Sequence, residues 1–238
     1  MLREIISKFY RPPSKIKTDV QLVCPPYVDR YKGKDFLVLG SGPSLEEYQG
    51  QVQKFIDQHQ PIVMGCNFLN EMFIPDYHGF VNRQMFNSYA ETIHSDSKIL
   101  LSPYFPDYMM KKKIKRGYEI IPFVNIYPSE KGSVCIQDGI IHAQGATVGT
   151  ILISTAIVMG AQNIFVAGVD GYLKNKKTHF YQESFDKSYE ELVALDKAAL
   201  ELLECCQNCL KEYSRGDLII TTPTAHEPFY QSIEKYLN

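Results

Sequence analysis

The stretch Asp35-Phe-Leu-Val-Leu-Gly-Ser-Gly-Pro-Ser-Leu-Glu-Glu-Tyr48 predicts the start of the fold. Phe36–Leu39 is an apolar run of strand length, and Gly40-Ser41-Gly42 then turns the chain sharply. Ser44 follows as a candidate helix N-cap, with Glu47 at the spacing of a capping box. A buried strand, a glycine turn and a helix start bring free backbone N–H groups and a positive dipole end together. The segment therefore predicts an anion site, typically for a nucleotide phosphate; a tight turn that binds nothing is the alternative.

The composition is that of an ordinary globular protein. The chain has 238 residues, of which 45% are hydrophobic and 22% charged, with a formal net charge of −2. This length can bury a full core as one large α/β domain, and the charge gives no reason to expect a nucleic-acid partner. No apolar run approaches the ~20 residues of a membrane span. Met1–Tyr10 lacks a signal-peptide pattern, so the cytoplasm is the expected compartment.

Cysteine spacing offers one candidate metal motif. Cys206 and Cys209 have C-x-x-C spacing, but no second Cys or His pair accompanies them. Small apolar residues of a helix are the better interpretation, so no metal site is predicted.

From Asp35 onward the pattern alternates between strands and helices. Strands are predicted at 36–39, 61–67, 75–82, 98–102, 163–170 and 217–222, and helices at 44–58, 84–94, 147–160, 185–213 and from 227. Such alternation predicts an α/β fold, Rossmann-like and three-layered, with a mainly parallel sheet. Residues 1–34 are predicted to form an N-terminal arm, and residues 35–238 a single nucleotide-binding domain.

Residues 103–146 are the least regular part of the chain and predict an irregular lid or substrate lobe. This stretch contains the basic run Lys111–Arg116, with Tyr108 nearby. A solvated face is the usual reason for such a run, and peripheral contact with an anionic membrane surface is the alternative.

Ligands of such folds bind at the carboxyl ends of the strands, so a nucleotide-binding motif is expected there. A dinucleotide fingerprint fails, because Leu45 stands where its third glycine is needed and the second strand ends in Asn67 and not in an acid. No Walker P-loop and no Asp-x-Asp occurs. A nucleoside diphosphate leaving group usually needs a cation. A nucleoside monophosphate leaving a CMP-sugar can be stabilised by hydrogen-bond donors and a tyrosine acid.

Several segments follow one another in a recognisable order. They are Val38-Leu-Gly-Ser-Gly-Pro-Ser-Leu45, Cys66-Asn67, Asn82, Gly149 with its apolar helix, and Ile164-Phe-Val-Ala-Gly-Val-Asp-Gly-Tyr172. The pattern resembles a Rossmann-like group of bacterial sialyltransferases that use CMP-sialic acid. Archaeal 6-hydroxymethylpterin diphosphokinases, and related proteins of polysaccharide gene clusters, are similar in the Gly-x-Gly-Pro-Ser-Leu opening. A domain attached to some aldolase-like enzymes is similar over about residues 36–82. The resemblance as a whole covers roughly residues 36–82 and 147–172.

The sialyltransferase resemblance implies roles for the matched residues. The phosphate-side loop would be Gly40, Ser41, Gly42, Pro43 and Ser44, and further nucleotide or substrate contacts would come from Asn67, Asn82, Gly149 and Asp170. Apart from the resemblance, Thr147 at the start of its helix and Arg83 are candidate contacts for a phosphate, with a surface salt bridge as the alternative for Arg83. Asp170 would lie near the ribose or cytosine, and Tyr172 matches a tyrosine that helps the phosphate depart. The family's histidine base falls near Glu183 in the simplest alignment, while His179 lies four residues earlier. Both residues are candidates for the base. The pKa of an imidazole suits His179 to that role.

This chain departs from the family at two further places. Ser41 stands where the family commonly has Asn between the two glycines, and Gly145 stands where it has an arginine.

The function predicted is a metal-independent glycosyltransferase that moves a sugar of sialic acid type from a CMP-sugar to a surface-glycan acceptor. The CMP-sugar is a co-substrate, and no cofactor is expected. One alternative is an ATP-dependent diphosphokinase acting on a pterin-like alcohol, with Asp170 as a Mg²⁺ ligand. Another is a non-catalytic nucleotide-binding domain in polysaccharide biosynthesis. The expected partners are the donor and a glycan or lipid-linked acceptor; contact with the inner membrane face and homo-oligomerisation stay open.

Overall fold

A computed structural model describes residues 27–125, 133–174, 179–181 and 188–238. The strands within these residues are β1 Phe36–Leu39, β2 Ile62–Cys66, β3 Tyr77–Phe80, β4 Lys98–Leu101, β5 Tyr118–Ile120, β6 Phe123–Asn125, β7 Ser133–Gln137, β8 Ile140–Gln144, β9 Ile164–Ala167 and β10 Leu218–Ile220. The helices are α1 Pro43–Glu47, α2 Gln49–His59, α3 Arg83–Tyr89, α4 Asp107–Lys113, α5 Val148–Val158 and α6 Tyr189–Tyr213. Short 3₁₀ turns lie at Ala90–Thr92, Glu227–Phe229 and Ile233–Tyr236.

Seven strands form one sheet in the order β10-β9-β1-β2-β3-β4-β5, with every neighbouring pair parallel. The chain proceeds from β1 towards β5 on one side and places β9 and β10 on the other. The strand order therefore reverses between β1 and β9, where open α/β sheets bind their ligands. The predicted α/β, Rossmann-like fold is confirmed.

Alternate residues of β1 face opposite sides of the sheet. Phe36 and Val38 join the core that contains α5 and α6, whereas Leu37 and Leu39 join the core that contains α2. Helix α5 is buried along almost its whole length, which explains why its sequence is apolar nearly all round. Helices cover both faces, so the domain has three layers.

The predicted lobe at 103–146 contains regular structure. Strand β5 completes one edge of the main sheet, and β6, β8 and β7 form a second, three-stranded sheet. The turn between β7 and β8 is Asp138-Gly139, with φ values of +51° and +75°, as expected for a two-residue hairpin turn. Buried residues of this small sheet, among them Val134 and Ile141, belong to the same core as α5.

The last part of the predicted arm packs against the domain. The Tyr31 hydroxyl lies 2.9 Å from the Tyr77 hydroxyl, and Arg30 Nη1 lies 2.9 Å from a carboxylate oxygen of Glu119. Residues 1–26 lie outside the described residues, and the division into arm and domain stays a prediction.

Two local expectations are wrong. Helix α1 begins at Pro43 with Gly42 as its N-cap and no side-chain cap, so the Ser44–Glu47 capping box is not formed. The helix predicted from residue 227 is instead a pair of 3₁₀ turns. Across the described ranges no helix is both long and apolar enough to cross a membrane.

Candidate active site

A cleft of about 130 Å³ opens at the point where the strand order reverses. Its walls come from the turns after β1, β2 and β9, from the N-terminus of α5 and from one side of α6. The lining residues are Gly40, Ser41, Gly42, Cys66, Asn67, Thr147, Val148, Gly149, Thr150, Ile153, Gly168, Val169, Gly171, Tyr172, His179, Ala199, Leu203 and His226.

The cleft brings together eight of the residues predicted from the sequence. They are Gly40, Ser41, Gly42, Asn67, Thr147, Gly149, Tyr172 and His179. Pro43, Ser44, Asn82, Arg83 and Asp170 are described by the structure but are not part of this lining. Glu183 lies outside the described residues.

The two turns at the reversal point touch backbone to backbone. A Cβ atom on Gly40 would lie 2.3 Å from the carbonyl oxygen of Gly168. A Cβ atom on Gly42 would lie 2.5 Å from Oδ1 of Asp170. Both glycines are therefore required by close approach, and the turn after β1 is fixed against the turn after β9.

Asp170 supplies a negative charge to the start of α1. Its side chain is 3% exposed, and Oδ2 accepts a hydrogen bond of 2.8 Å from the backbone N–H of Ser44. The Ser44 hydroxyl donates to Oδ1 of the same carboxylate and lies 2.8 Å from Thr222 Oγ1. The carboxylate thus gives the start of α1 a negatively charged partner from within the protein.

The remaining N–H groups of this loop are mostly bonded within the protein. Gly40 N–H donates to Ala167 O, Gly42 N–H donates to Gly168 O, both at 2.8 Å, and Leu45 N–H donates to Gly42 O. Phosphate binding by the Gly40–Ser44 loop stays a prediction. Because of these bonds, the loop has few backbone N–H groups left to bind a phosphate.

Helix α5 presents its N-terminus to the cleft. The hydroxyl of Thr147 accepts a hydrogen bond of 3.3 Å from the Thr150 N–H and so caps the helix. Val148 and Gly149, which line the cleft, precede Thr150 in the first turn, where N–H groups have no partner within the helix. Eleven residues of helix contribute their dipole here, so the arrangement favours an anion.

Asn67 directly follows β2 and is 8% exposed. Its backbone has a φ of +50°, a left-handed conformation that Asn tolerates better than most residues. Within the described structure its buried Oδ1 has no hydrogen-bond partner. Leaving a buried acceptor unpaired costs about 1–3 kcal/mol, so this amide is available to a polar ligand group.

Tyr172 is positioned by a carboxylate from α6. Oδ1 of Asp196 accepts a bond of 2.6 Å from the Tyr172 N–H, and Oδ2 accepts one of 2.9 Å from the Leu173 N–H. Burial raises the pKa of Tyr172, and the negative charge of Asp196 raises it further. The phenol is therefore protonated at neutral pH and can donate a hydrogen bond into the cleft.

His179 lies beside the turns after β1 and β2. The neighbouring Phe180 N–H donates to Ser41 O at 3.0 Å, and the ring of His179 stacks parallel to that of Tyr181 with centroids 5.2 Å apart. Its Nδ1 is buried without a hydrogen-bond partner among the described residues. Burial lowers the pKa of His179, so the ring is neutral at pH 7 and able to accept a proton.

Asn82 and Arg83 lie at the end of β3 with other contacts. The Asn82 side chain caps α3, since Oδ1 accepts bonds from the N–H groups of Gln84 at 2.8 Å and Met85 at 3.2 Å. Arg83 is exposed and donates to the carbonyl oxygen of Tyr104. Their predicted contacts with nucleotide and sugar remain predictions.

His226 lines the cleft but was not predicted from the sequence as a site residue. This side chain is only 2% exposed and follows β10, the strand beside β9. A polar residue after a strand next to the reversal point was the available signal. The other lining residues missed are Cys66, Val148, Thr150, Ile153, Gly168, Val169, Gly171, Ala199 and Leu203.

Comparisons with known proteins identify similar solved structures only. No protein-family model and no curated protein sequence matches the chain. The sialyltransferase CstII from Campylobacter jejuni, in complex with the substrate analogue cytidine-5'-monophosphate, is 17% identical with a TM-score of 0.47, over 87% of this chain and 88% of that one. A variant of Cst-II in complex with CMP is 13% identical with a TM-score of 0.46, over 84% and 86%. A mammalian sialyltransferase is 10% identical with a TM-score of 0.39, over 92% and 84%. Likeness at this level does not define a shared activity.

Proposed function

We propose that this protein is a glycosyltransferase that transfers a sugar of sialic acid type from a CMP-sugar to a surface-glycan acceptor without a metal ion. The observation that carries the proposal is the set of groups around the cleft. The first residues of α5, Tyr172 and His179 all line it. None of the lining residues that the structure describes has a carboxylate side chain.

The phosphate of the donor fits best at the start of α5. Thr147 and Gly149 line this part of the cleft, and the helix dipole favours negative charge beside them. The turn after β1 already faces the Asp170 carboxylate, so a phosphate is repelled from that loop and attracted to α5. The CMP part of the donor is therefore placed with its phosphate against α5.

Tyr172 acts on the leaving group. As the bond between the sugar carbon and the phosphate oxygen breaks, negative charge grows on the departing CMP. A protonated phenol stabilises that charge by a hydrogen bond that strengthens in the transition state. The raised pKa of Tyr172 keeps its proton in place for this role.

His179 is the base for the acceptor. The attacking hydroxyl of the acceptor forms the new bond to the sugar carbon, and its proton moves to the neutral imidazole. A lowered pKa keeps His179 unprotonated at neutral pH. Glu183 stays the alternative base. The Asn67 amide is assigned to the nucleoside or sugar, because its buried Oδ1 has no partner among the described residues.

Ligand-induced stabilisation tests the proposal. The melting temperature is measured with CMP, CDP, UDP and ATP, each with Mg²⁺ and with EDTA. A ligand that binds the folded state at 100 times its Kd stabilises by about 2.7 kcal/mol. CMP should raise the melting temperature in EDTA. Stabilisation by ATP with Mg²⁺ alone would overturn the proposal in favour of diphosphate transfer.

A further inference from the structure

We propose that His226 is a further ligand of the donor phosphate. Its imidazole N–H donates a hydrogen bond to the same phosphate that accepts a hydrogen bond from the Tyr172 hydroxyl. This inference rests on the proposed function, because it assigns an additional residue to the phosphate of that donor. The ligand class it names is a nucleotide phosphate, and a nucleoside without phosphate would not use it.

The backbone around His226 is fixed to the end of β9. The Ala225 N–H donates to the Asp170 carbonyl at 2.7 Å, and the Thr224 hydroxyl donates to the Val169 carbonyl at 2.7 Å. The Thr224 hydroxyl also accepts a bond of 3.1 Å from the His226 N–H. Three bonds thus hold His226 in one place beside the segment that carries Tyr172.

The two segments are also in close contact. A Cβ atom on Gly171 would lie 2.8 Å from Cβ of Ala225 and 2.9 Å from Oδ1 of Asp196. Gly171, Tyr172 and His226 all line the cleft. Tyr172 and His226 therefore lie on two segments that pack against each other beside the cleft.

The ring of His226 lacks a partner within the protein. The residue is only 2% exposed and lines the cleft. Among the described residues, only its backbone N–H takes part in a hydrogen bond, to Thr224. The ring nitrogens are therefore open to a ligand oxygen in the cleft.

One negative and one positive side chain lie near this ring. Asp196 approaches from α6, and Lys174 lies close by, its Nζ 3.4 Å from the Thr224 carbonyl. The other titratable groups of the cleft lining are Tyr172, His179 and Cys66. Burial lowers the pKa of His226, and Asp196 opposes that shift. A bound phosphate adds a second negative charge, which favours the imidazolium and strengthens the hydrogen bond.

Calorimetric titration of wild type, His226→Leu and His226→Gln with CMP, cytidine and pyrophosphate tests the inference. Losing a hydrogen bond to a charged group weakens binding by about 10-fold to 100-fold. His226→Leu should weaken CMP binding by that factor and leave cytidine binding unchanged, and Gln, which keeps an N–H donor, should restore part of the loss. His142→Leu is the matched control, since His142 is a partly buried strand residue that is not part of the cleft lining.

CMP binding by His226→Leu within twofold of wild type overturns the inference and leaves the proposed function standing. If wild type binds pyrophosphate but not CMP, and His226→Leu loses pyrophosphate, the proposed function fails while the phosphate role of His226 holds. If wild type binds neither, both fall.

Should His226→Leu not fold, imidazole NMR of the wild-type protein gives the same answer. The His226 resonances should shift with CMP and not with cytidine. If they stay unmoved while other cleft signals respond to CMP, the inference is wrong.

Discussion

The backbone N–H of Ser44 donates a hydrogen bond of 2.8 Å to the carboxylate of Asp170, 126 residues further along the chain. This bond links the turn after β1 to the turn after β9, where the strand order of the sheet reverses. Both residues are almost fully buried, with exposures of 2% and 3%. The bond therefore fixes the wall of the cleft, and it gives the helix start at residue 43 a protein anion.

Replacing Asp170 with Asn should destabilise the fold. One carboxylate oxygen would become an NH₂ group that faces donors at Ser44, leaving buried groups unpaired at about 1–3 kcal/mol. Urea unfolding measures the change. Asp217→Asn is the control, because that side chain is 59% exposed and pairs with Lys211 at the surface. Unchanged stability of Asp170→Asn with lost CMP binding would instead assign Asp170 to the ligand.

Replacing Gly42 with Ala should be more damaging than replacing Gly50. The new Cβ at Gly42 would lie 2.5 Å from Oδ1 and 2.7 Å from Cγ of Asp170, so the two turns would have to separate. Gly50 lies in α2 with nothing within 4 Å of its Cβ direction, and Ala there should stabilise by about 0.5–1 kcal/mol. Thermal unfolding of the two variants checks the contrast. Equal stability of Gly42→Ala and wild type would contradict this packing.

His179→Gln should alter the pH dependence of transfer. A base must be unprotonated, so activity falls as the pH drops through the pKa of His179. Burial lowers that pKa below its ordinary value, so the acid limb of kcat/KM should lie below about pH 6.5. In His179→Gln the limb should vanish and kcat should fall by about 10²-fold or more. An unchanged profile would point to Glu183.

His78 should make the protein sensitive to acid. Its ring is 3% exposed and bonds through Nε2 to the Asn67 carbonyl, and burial lowers the pKa of His78 to about 4. Because the folded-state pKa lies below the unfolded value of about 6.5, protons bind preferentially to the unfolded chain between these values. Stability is thus full above about pH 6.5 and declines as the pH falls to about 4, by roughly 3 kcal/mol from this group.

Urea unfolding from pH 7 to pH 4 measures this loss, and His78→Gln should show a smaller pH dependence than wild type. His59→Gln is the control, as His59 is exposed. Identical slopes for His78→Gln and wild type would exclude His78 as the source.

The parts of the fold that were predictable are those whose sequence reflects local burial. β1, β9 and α5 read as apolar runs because each is covered on both sides. Once these three elements are in the right order, Gly40, Thr147 and Tyr172 meet at the same edge of the sheet. That is why much of the cleft followed from the sequence.

The parts that were not predictable depend on distant contacts. The sequence predicted Ser44 as a helix cap, but its partner is Asp170 in the turn after β9. His226 reaches the cleft only because Ala225 and Thr224 bond to the end of β9. In contrast, the Asp138-Gly139 pair is a local sequence pattern that favours the β7–β8 hairpin. The packing of this hairpin against α5 depends on distant residues and could not be predicted from the sequence.

The central claim is metal-independent transfer from a CMP-sugar, with Tyr172 acting on the leaving phosphate. The direct measurement is CMP release from CMP-sialic acid in the presence of EDTA, by wild type, Tyr172→Phe and the control Tyr108→Phe, whose side chain is 73% exposed. Wild type and Tyr108→Phe should release CMP at similar rates, and Tyr172→Phe should lower kcat by about 10-fold to 10³-fold. No CMP release by wild type, or release by Tyr172→Phe at the wild-type rate, would contradict the account.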